Sequence, residues 1–158
     1  MASTAPGKGW WARKMSEAPF TIREFDLALD YDPVLVLWNT AGPGIHVGRS
    51  DSPEEIEKKL KRDPDLFLVA LVDRRIVGTV LGGFDGRRGI VYHLAVVEDQ
   101  RQNGIGSALM EALEERLRQK GCLRCYLLVT RENLAAMQYY ERRGWQTMDL
   151  HIYAKDLA

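Results

Sequence analysis

One stretch constrains this chain more than any other: Val96 to Met110, reading V-V-E-D-Q-R-Q-N-G-I-G-S-A-L-M. A β-branched run ends at Val97, a polar loop closes on two glycines flanking Ile105, and an amphipathic helix starts at once. Glycines at a helix mouth leave consecutive backbone N–H groups uncovered by any Cβ. Those amides, with the positive end of the helix dipole, form a site for a phosphate or pyrophosphate. The commoner phosphate motifs fail on residues. A Walker loop needs a lysine after its second glycine, and the dinucleotide fingerprint needs a third glycine where Leu109 stands. The feature demands a strand feeding an open helix N-terminus, so the chain is read as α/β.

Composition sets the remaining bounds. At 158 residues the chain is one domain's worth, with 46% hydrophobic and 28% charged residues, ordinary for a globular protein. Twenty-two basic and twenty-two acidic residues cancel. No global field then recruits nucleic acid or an anionic membrane. No apolar run reaches the roughly 18 residues of a span, and the opening M-A-S-T-A-P-G-K-G-W-W-A-R-K lacks a signal-peptide core. A cytoplasmic protein is expected. Cys122 and Cys125 form a C-x-x-C within C-L-R-C-Y-L-L-V. Read as a strand, that spacing turns the two sulfurs to opposite faces, so neither a metal nor a disulfide is expected.

Residues 1–19 read as an appendage, basic through Lys8, Arg13 and Lys14 and carrying Trp10 and Trp11. The arm is expected to pack on the body or on a partner subunit, with a homodimer left open. From residue 20 to 158 the pattern is regular. Phe20–Phe25 alternates as a strand, and Asp26 or a neighbour caps a helix through Leu27, Tyr31, Val34, Leu35 and Trp38. A glycine-rich loop follows from Thr40 to Arg49, then Ser52-Pro53-Glu54-Glu55 opens a second helix as a capping box with proline at its first position. Leu66–Val72 and Arg75–Phe84 are strands joined at Asp73-Arg74, and Ile90–Val97 is another. The third helix buries Ile105, Leu109, Leu113 and Leu117 and ends at Gly121. Leu123–Thr130 is a strand, Asn133–Arg143 a helix stopped by Gly144, and Trp145–Met148 with His151–Lys155 a closing strand pair. The order predicts a mixed α/β fold with a mostly antiparallel central sheet.

Two motifs together carry a resemblance. Arg101-x-x-Gly104-x-Gly106 resembles the acetyl-CoA motif of the GCN5-related N-acetyltransferases (GNAT). Asn133, Tyr140 seven residues on, and Gly144-Trp145 resemble the family's second motif. The resemblance covers residues 20–158, and the chain is most similar to the small stand-alone bacterial members. It implies a GNAT-like fold, a central sheet with a splayed strand pair flanked by helices. It also implies acetyl-CoA as co-substrate, no metal, and acetyl transfer to a primary amine of a small molecule or a peptide. A non-catalytic acyl-CoA sensor on the same fold is the alternative.

The resemblance also distributes roles. Arg101, Gln102, Asn103, Gly104, Ile105, Gly106 and Ser107 would wrap the pyrophosphate through backbone amides. Leu94, Ala95 and Val96 would bond the pantetheine as an added strand. Asn133 would hold the pantetheine arm, and Tyr140 would protonate the departing thiolate. The glutamate that several members carry on the strand before the glycine loop is missing: Gly89-Ile90-Val91-Tyr92-His93-Leu94 has no carboxylate. Tyr92 is taken as a catalytic candidate that orients a water, and His93, on the other face of a regular strand, as structural. Loops on a rigid scaffold carry specificity. Trp38, His46 and Arg49 are therefore candidate acceptor contacts, with Trp38 equally readable as part of its helix's apolar face.

Overall fold

The computed structural model describes residues 19–158, so residues 1–18 of the appendage lie outside the described residues. The described chain forms two compact units, one up to Leu128 and one from Val129 to Ala158.

The first unit is a five-stranded sheet in sequential order with helices on both faces. Its strands are β1 (Thr21–Glu24), β2 (Phe67–Val72), β3 (Arg75–Phe84), β4 (Arg88–Val96) and β5 (Arg124–Leu127). β1 to β4 pair antiparallel and only β5 runs parallel, along β4. Its helices are α1 (Leu27–Thr40), α2 (Pro53–Arg62) and α3 (Ile105–Gln119). The expected mixed α/β fold with a mostly antiparallel sheet is the one observed.

Local chemistry explains the junctions. Asp26 caps α1 by accepting from the Leu29 amide at 3.0 Å. Ser52 caps α2 through the Glu55 amide at 3.4 Å, with Pro53 at the first helical position. Asp73 and Arg74 both adopt positive φ, 47° and 65°, the backbone that a two-residue hairpin turn requires.

The period of two along β2 separates two cores. Phe67 and Val69 join Phe25, Val34, Leu37, Trp38 and Ile56 under α1 and α2. Phe25 stacks on Phe67 with ring centroids 4.0 Å apart. Leu68 and Ala70 are equally buried on the other face, as are Ile105, Leu109, Leu113 and Leu117 of α3. Burying each leucine or isoleucine of α3 contributes about 1.5–3 kcal/mol. Glycines in β3 let α3 approach this closely. A methyl group on Gly82 would sit 2.5 Å from Leu113 Cδ1, and one on Gly78 would sit 3.0 Å from both Ile105 and Leu109.

β4 and β5 pair only over Arg88–Val91 and Arg124–Leu127. From Tyr92 to Val96, β4 continues with no β5 partner, which is the splayed strand pair. On its β3 side β4 carries a bulge: Leu81 pairs with Tyr92 but Thr79 pairs with Ala95. One extra residue is accommodated there, and His93 takes a φ of +48°.

Two sequence expectations fail in the second half of the chain. β5 begins at Arg124, so Cys122 precedes it in the turn after Gly121. Strand alternation therefore does not govern the cysteines. A methyl group on Gly89 would meet Cys125 Sγ at 3.0 Å and Cys122 Sγ at 3.1 Å, so the sulfurs converge instead of diverging. Both thiols are free, and burial pushes that of Cys125 up to about 12.

The second unit holds α4 (Leu134–Arg142), which ends as expected at Gly144 with a φ of +85°. No strand forms over Trp145–Met148 or His151–Lys155. Met148, Leu150 and Ile152 alternate as a strand's side chains would, yet they are exposed and lie in no strand. Among the described residues, no helix is long and apolar enough to cross a membrane, and no group of three metal-ligating side chains occurs.

Candidate active site

The glycine loop ends where α3 begins. A short 3-10 turn, Glu98–Gln100, leads from β4 to Arg101, and Gln102 adopts a φ of +65°. Gly104 is the N-cap with a φ of +79°, a conformation that disfavours any residue with a Cβ. The first helical bond runs from the Ala108 amide to the Gly104 carbonyl at 3.0 Å. The amides of the preceding turn therefore have no intrahelical acceptor. Its N-cap is a glycine, with no side chain to cap the terminus, and no acidic residue stands in its first turn. The contrast with α2 is instructive, because Ser52, Glu54 and Glu55 supply oxygens there. Ile105 is buried and anchors the helix, while Gln102, Asn103 and Gly104 are exposed.

The expected roles divide differently for Arg101. Its Nε donates to the Val96 carbonyl at 3.0 Å and its NH2 to the Ala41 carbonyl at 2.9 Å. The guanidinium thus fastens the turn to β4 and to the end of α1.

The open edge of β4 can be assigned by register. The Val97 amide bonds the Val77 carbonyl of β3 at 2.9 Å. Alternation then directs the peptide groups of Ala95 to β3 and those of Val96 to the unpaired edge. Val96 is placed to bond an extended ligand through its amide, whereas Ala95 is committed to the sheet. Leu94 adjoins the bulge.

Buried polar contacts hold that bulge. Thr79, fully buried, accepts from Trp38 Nε1 at 2.9 Å and donates to the His93 carbonyl at 3.1 Å. Trp38 is 2% exposed and lies on Phe67, so it is a core residue that cannot touch an acceptor. The apolar-face reading is the one observed, and the reason is that its indole N–H has a buried partner. Replacing Thr79 with the isosteric valine leaves the indole and the His93 carbonyl unpartnered, costing about 1–2 kcal/mol. Urea unfolding should show a lowered midpoint with an unchanged slope.

His93 is not a residue of a regular strand's far face. Its Nε2 lies 2.9 Å from Asp51 Oδ1, and its ring packs 4.5 Å from Trp38. Sequence reasoning missed Asp51 altogether. Its signal was a buried carboxylate in an otherwise polar loop, visible only once the 3-10 turn Arg49–Asp51 faces the bulge. Tyr92 is 42% exposed, and partial burial raises its phenol pKa. It stays protonated, which suits a water-orienting group better than a base. His46 and Arg49 are exposed on the loop after α1.

In the second unit, Asn133 caps α4 by accepting from the Ala136 amide at 3.2 Å. Its carbonyl oxygen is thereby used, and its NH2 is the group left to donate. Tyr140 packs edge-on to Tyr139 and Trp145, with centroids at 5.2 and 6.0 Å. Burial, with a smaller contribution from Tyr139, pushes its phenol up to about 12.

The α3 entry, whose glycine N-cap has no side chain, thus stands beside the open edge of β4. Residues 31–145 match the acetyltransferase (GNAT) family, to which the chain belongs. It is an acyltransferase by family. An acetyltransferase of the bacterium Pectobacterium atrosepticum is 41% identical over 128 residues, 81% of this chain and 89% of that protein. Among solved structures, Ard1 from Thermoplasma volcanium superposes with a TM-score of 0.70 at 27% identity, covering 80% of this chain and 82% of that one. PaiA N-acetyltransferase from Thermoplasma acidophilum, solved with coenzyme A, shares the fold with a TM-score of 0.71 at 20% identity, covering 84% and 92%.

Proposed function

We propose that this chain is an acetyl-CoA-dependent N-acetyltransferase that moves the acetyl group to a primary amine, of a small molecule or a peptide, by direct attack on the thioester. The observation that carries this reading is the α3 entry, with a glycine N-cap and free of acid, next to the unpaired edge of β4. The coenzyme A bound by the PaiA relative supports the same reading. The residues fit the co-substrate. Amides of the α3 entry would take the pyrophosphate, and Val96 would pair with the pantetheine as an extra strand would.

The chemistry asks for little more. The amine nitrogen attacks the thioester carbonyl, an oxyanion forms, and the thiolate leaves. Backbone N–H groups on a splayed strand stabilise the oxyanion. Tyr140 would donate to the departing sulfur, and its raised pKa keeps the proton in place across the neutral range. Tyr92 would orient a water that takes the proton from the attacking nitrogen and passes it to solvent. The acceptor would meet the loop that carries His46 and Arg49.

The absence of a carboxylate on β4 near Tyr92 favours one other reading, an acyl-CoA sensor without turnover. Thiol release from acetyl-CoA across a panel of polyamines, aminoglycosides, amino sugars and peptides separates the two. Release stimulated by one class of amine is the expected result. Acetyl-CoA binding with no stimulation by any amine would establish the sensor.

A further inference from the structure

We propose that Cys122 and Cys125 form a reversible dithiol–disulfide site that staples the end of α3 to the β4–β5 pairing. The inference is independent of the acetyl-transfer reading and concerns the other end of the same helix. α3 has 15 residues, so about 22 Å of helix separates the pair from the glycine loop.

The chain has two cysteines, and the fold gathers both at one residue of β4. Gly89 pairs with Cys125 in the parallel register of β4 and β5. A methyl group at Gly89 would lie 3.0 Å from Cys125 Sγ, 3.1 Å from Cys122 Sγ and 3.3 Å from Leu117 Cδ1. The room left by the missing side chain is therefore bordered by both sulfurs, with Leu117 of α3 beside them. Cys122 arrives there because α3 stops abruptly. Gly121 takes a φ of +84°, and the Cys122 amide bonds back to the Leu117 carbonyl at 3.0 Å. That is the left-handed helix end that glycine permits.

Little opposes a bond between the sulfurs. Leu123, between them in sequence, is 97% exposed, so its packing does not resist the small adjustment that disulfide geometry needs. The thiols now donate to the Arg124 and Tyr126 carbonyls at 3.2 and 3.9 Å. A thiol is a weak donor, and these contacts are given up at small cost.

The chemistry balances with a low-molecular-weight disulfide as the oxidant. The Cys122 thiolate attacks one sulfur of that disulfide, whose S–S bond breaks, and its first half leaves as a thiol. Cys125 then attacks the Cys122 sulfur of the mixed disulfide, and the second half leaves as a thiol. Two electrons pass to the oxidant, and the two cysteine protons end on the released thiols. Cys122 takes the first step because burial, with Cys122 itself close by, pushes the Cys125 thiol up to about 12 and leaves little thiolate there. The product ties the turn after α3 to β5 at the paired end of the splayed strands.

Equilibrating the full chain in mixtures of reduced and oxidised glutathione, then quenching, alkylating and weighing it, tests this. The folded protein should give the intramolecular disulfide, and dithiothreitol should restore both thiols. Its equilibrium constant should exceed that of the urea-unfolded chain about tenfold or more, because the fold holds the sulfurs together. Cys125→Ser should stop at a mixed disulfide of Cys122 with glutathione. Amides of residues 124–127 should exchange several-fold more slowly in the oxidised protein than in the reduced one. A folded wild type that keeps two thiols, stops at mixed disulfides or links to a second chain would overturn the site. So would an equilibrium constant equal to that of the unfolded chain. Unchanged exchange across β5 in the disulfide form would overturn the staple.

Discussion

Replacing Tyr140 with phenylalanine should lower kcat by about a hundredfold or more, the range of a lost general acid. The change removes one oxygen and keeps the ring that packs against Tyr139 and Trp145. Stability and acetyl-CoA affinity should therefore change little. The loss should shrink with acyl donors whose thiols are more acidic, because those need less protonation to leave. Burial holds the phenol pKa near 12, so wild type should show no alkaline loss of rate from Tyr140 ionisation below that range. The sign follows from the acid's role: activity needs the protonated phenol, and raising its pKa widens the active range upward. Steady-state kinetics of both proteins on a verified amine decides the matter. Equal kcat values would remove Tyr140 from the mechanism.

Gly106→Asp should weaken acetyl-CoA binding a hundredfold or more, about 2.8 kcal/mol. Gly106 is the second residue of α3, in the turn whose amides have no intrahelical acceptor. A carboxylate there interacts favourably with the helix dipole, and replacing a glycine narrows the unfolded ensemble. The variant should thus melt at or above the wild-type temperature while the new anion repels the pyrophosphate. That divergence separates loss of a site from loss of a fold. Calorimetric titration giving wild-type affinity in the folded variant would remove the α3 entry from cofactor binding.

How far the sequence carries depends on how local the signal is. The glycine loop, the Asp73-Arg74 turn and the caps Asp26, Ser52 and Gly144 are each specified within a few residues, and each is found where expected. Features that need two distant segments were not legible. Trp38 reads equally as a surface contact or a core residue until Thr79 appears beside its indole. His93 is assigned to the wrong surroundings because a period of two assumes a regular strand, and the bulge breaks that period. C-L-R-C reads as strand throughout, but β5 starts only at Arg124, so Cys122 lies before the strand and the sulfurs come together. The C-terminal segment shows the reverse error: alternation at Met148, Leu150 and Ile152 fits a strand's faces, but alternation alone does not form a strand and none is found there.

The most direct test of acetyl transfer is a mass measurement of all reactants after mixing the protein with acetyl-CoA, with and without the amine that most stimulates thiol release. Direct attack predicts acetylated amine and free coenzyme A in equal amounts, with the protein's own mass unchanged in both samples. An acetylated protein formed before the amine is added, or no acetylated amine while acetyl-CoA remains bound and intact, would contradict it.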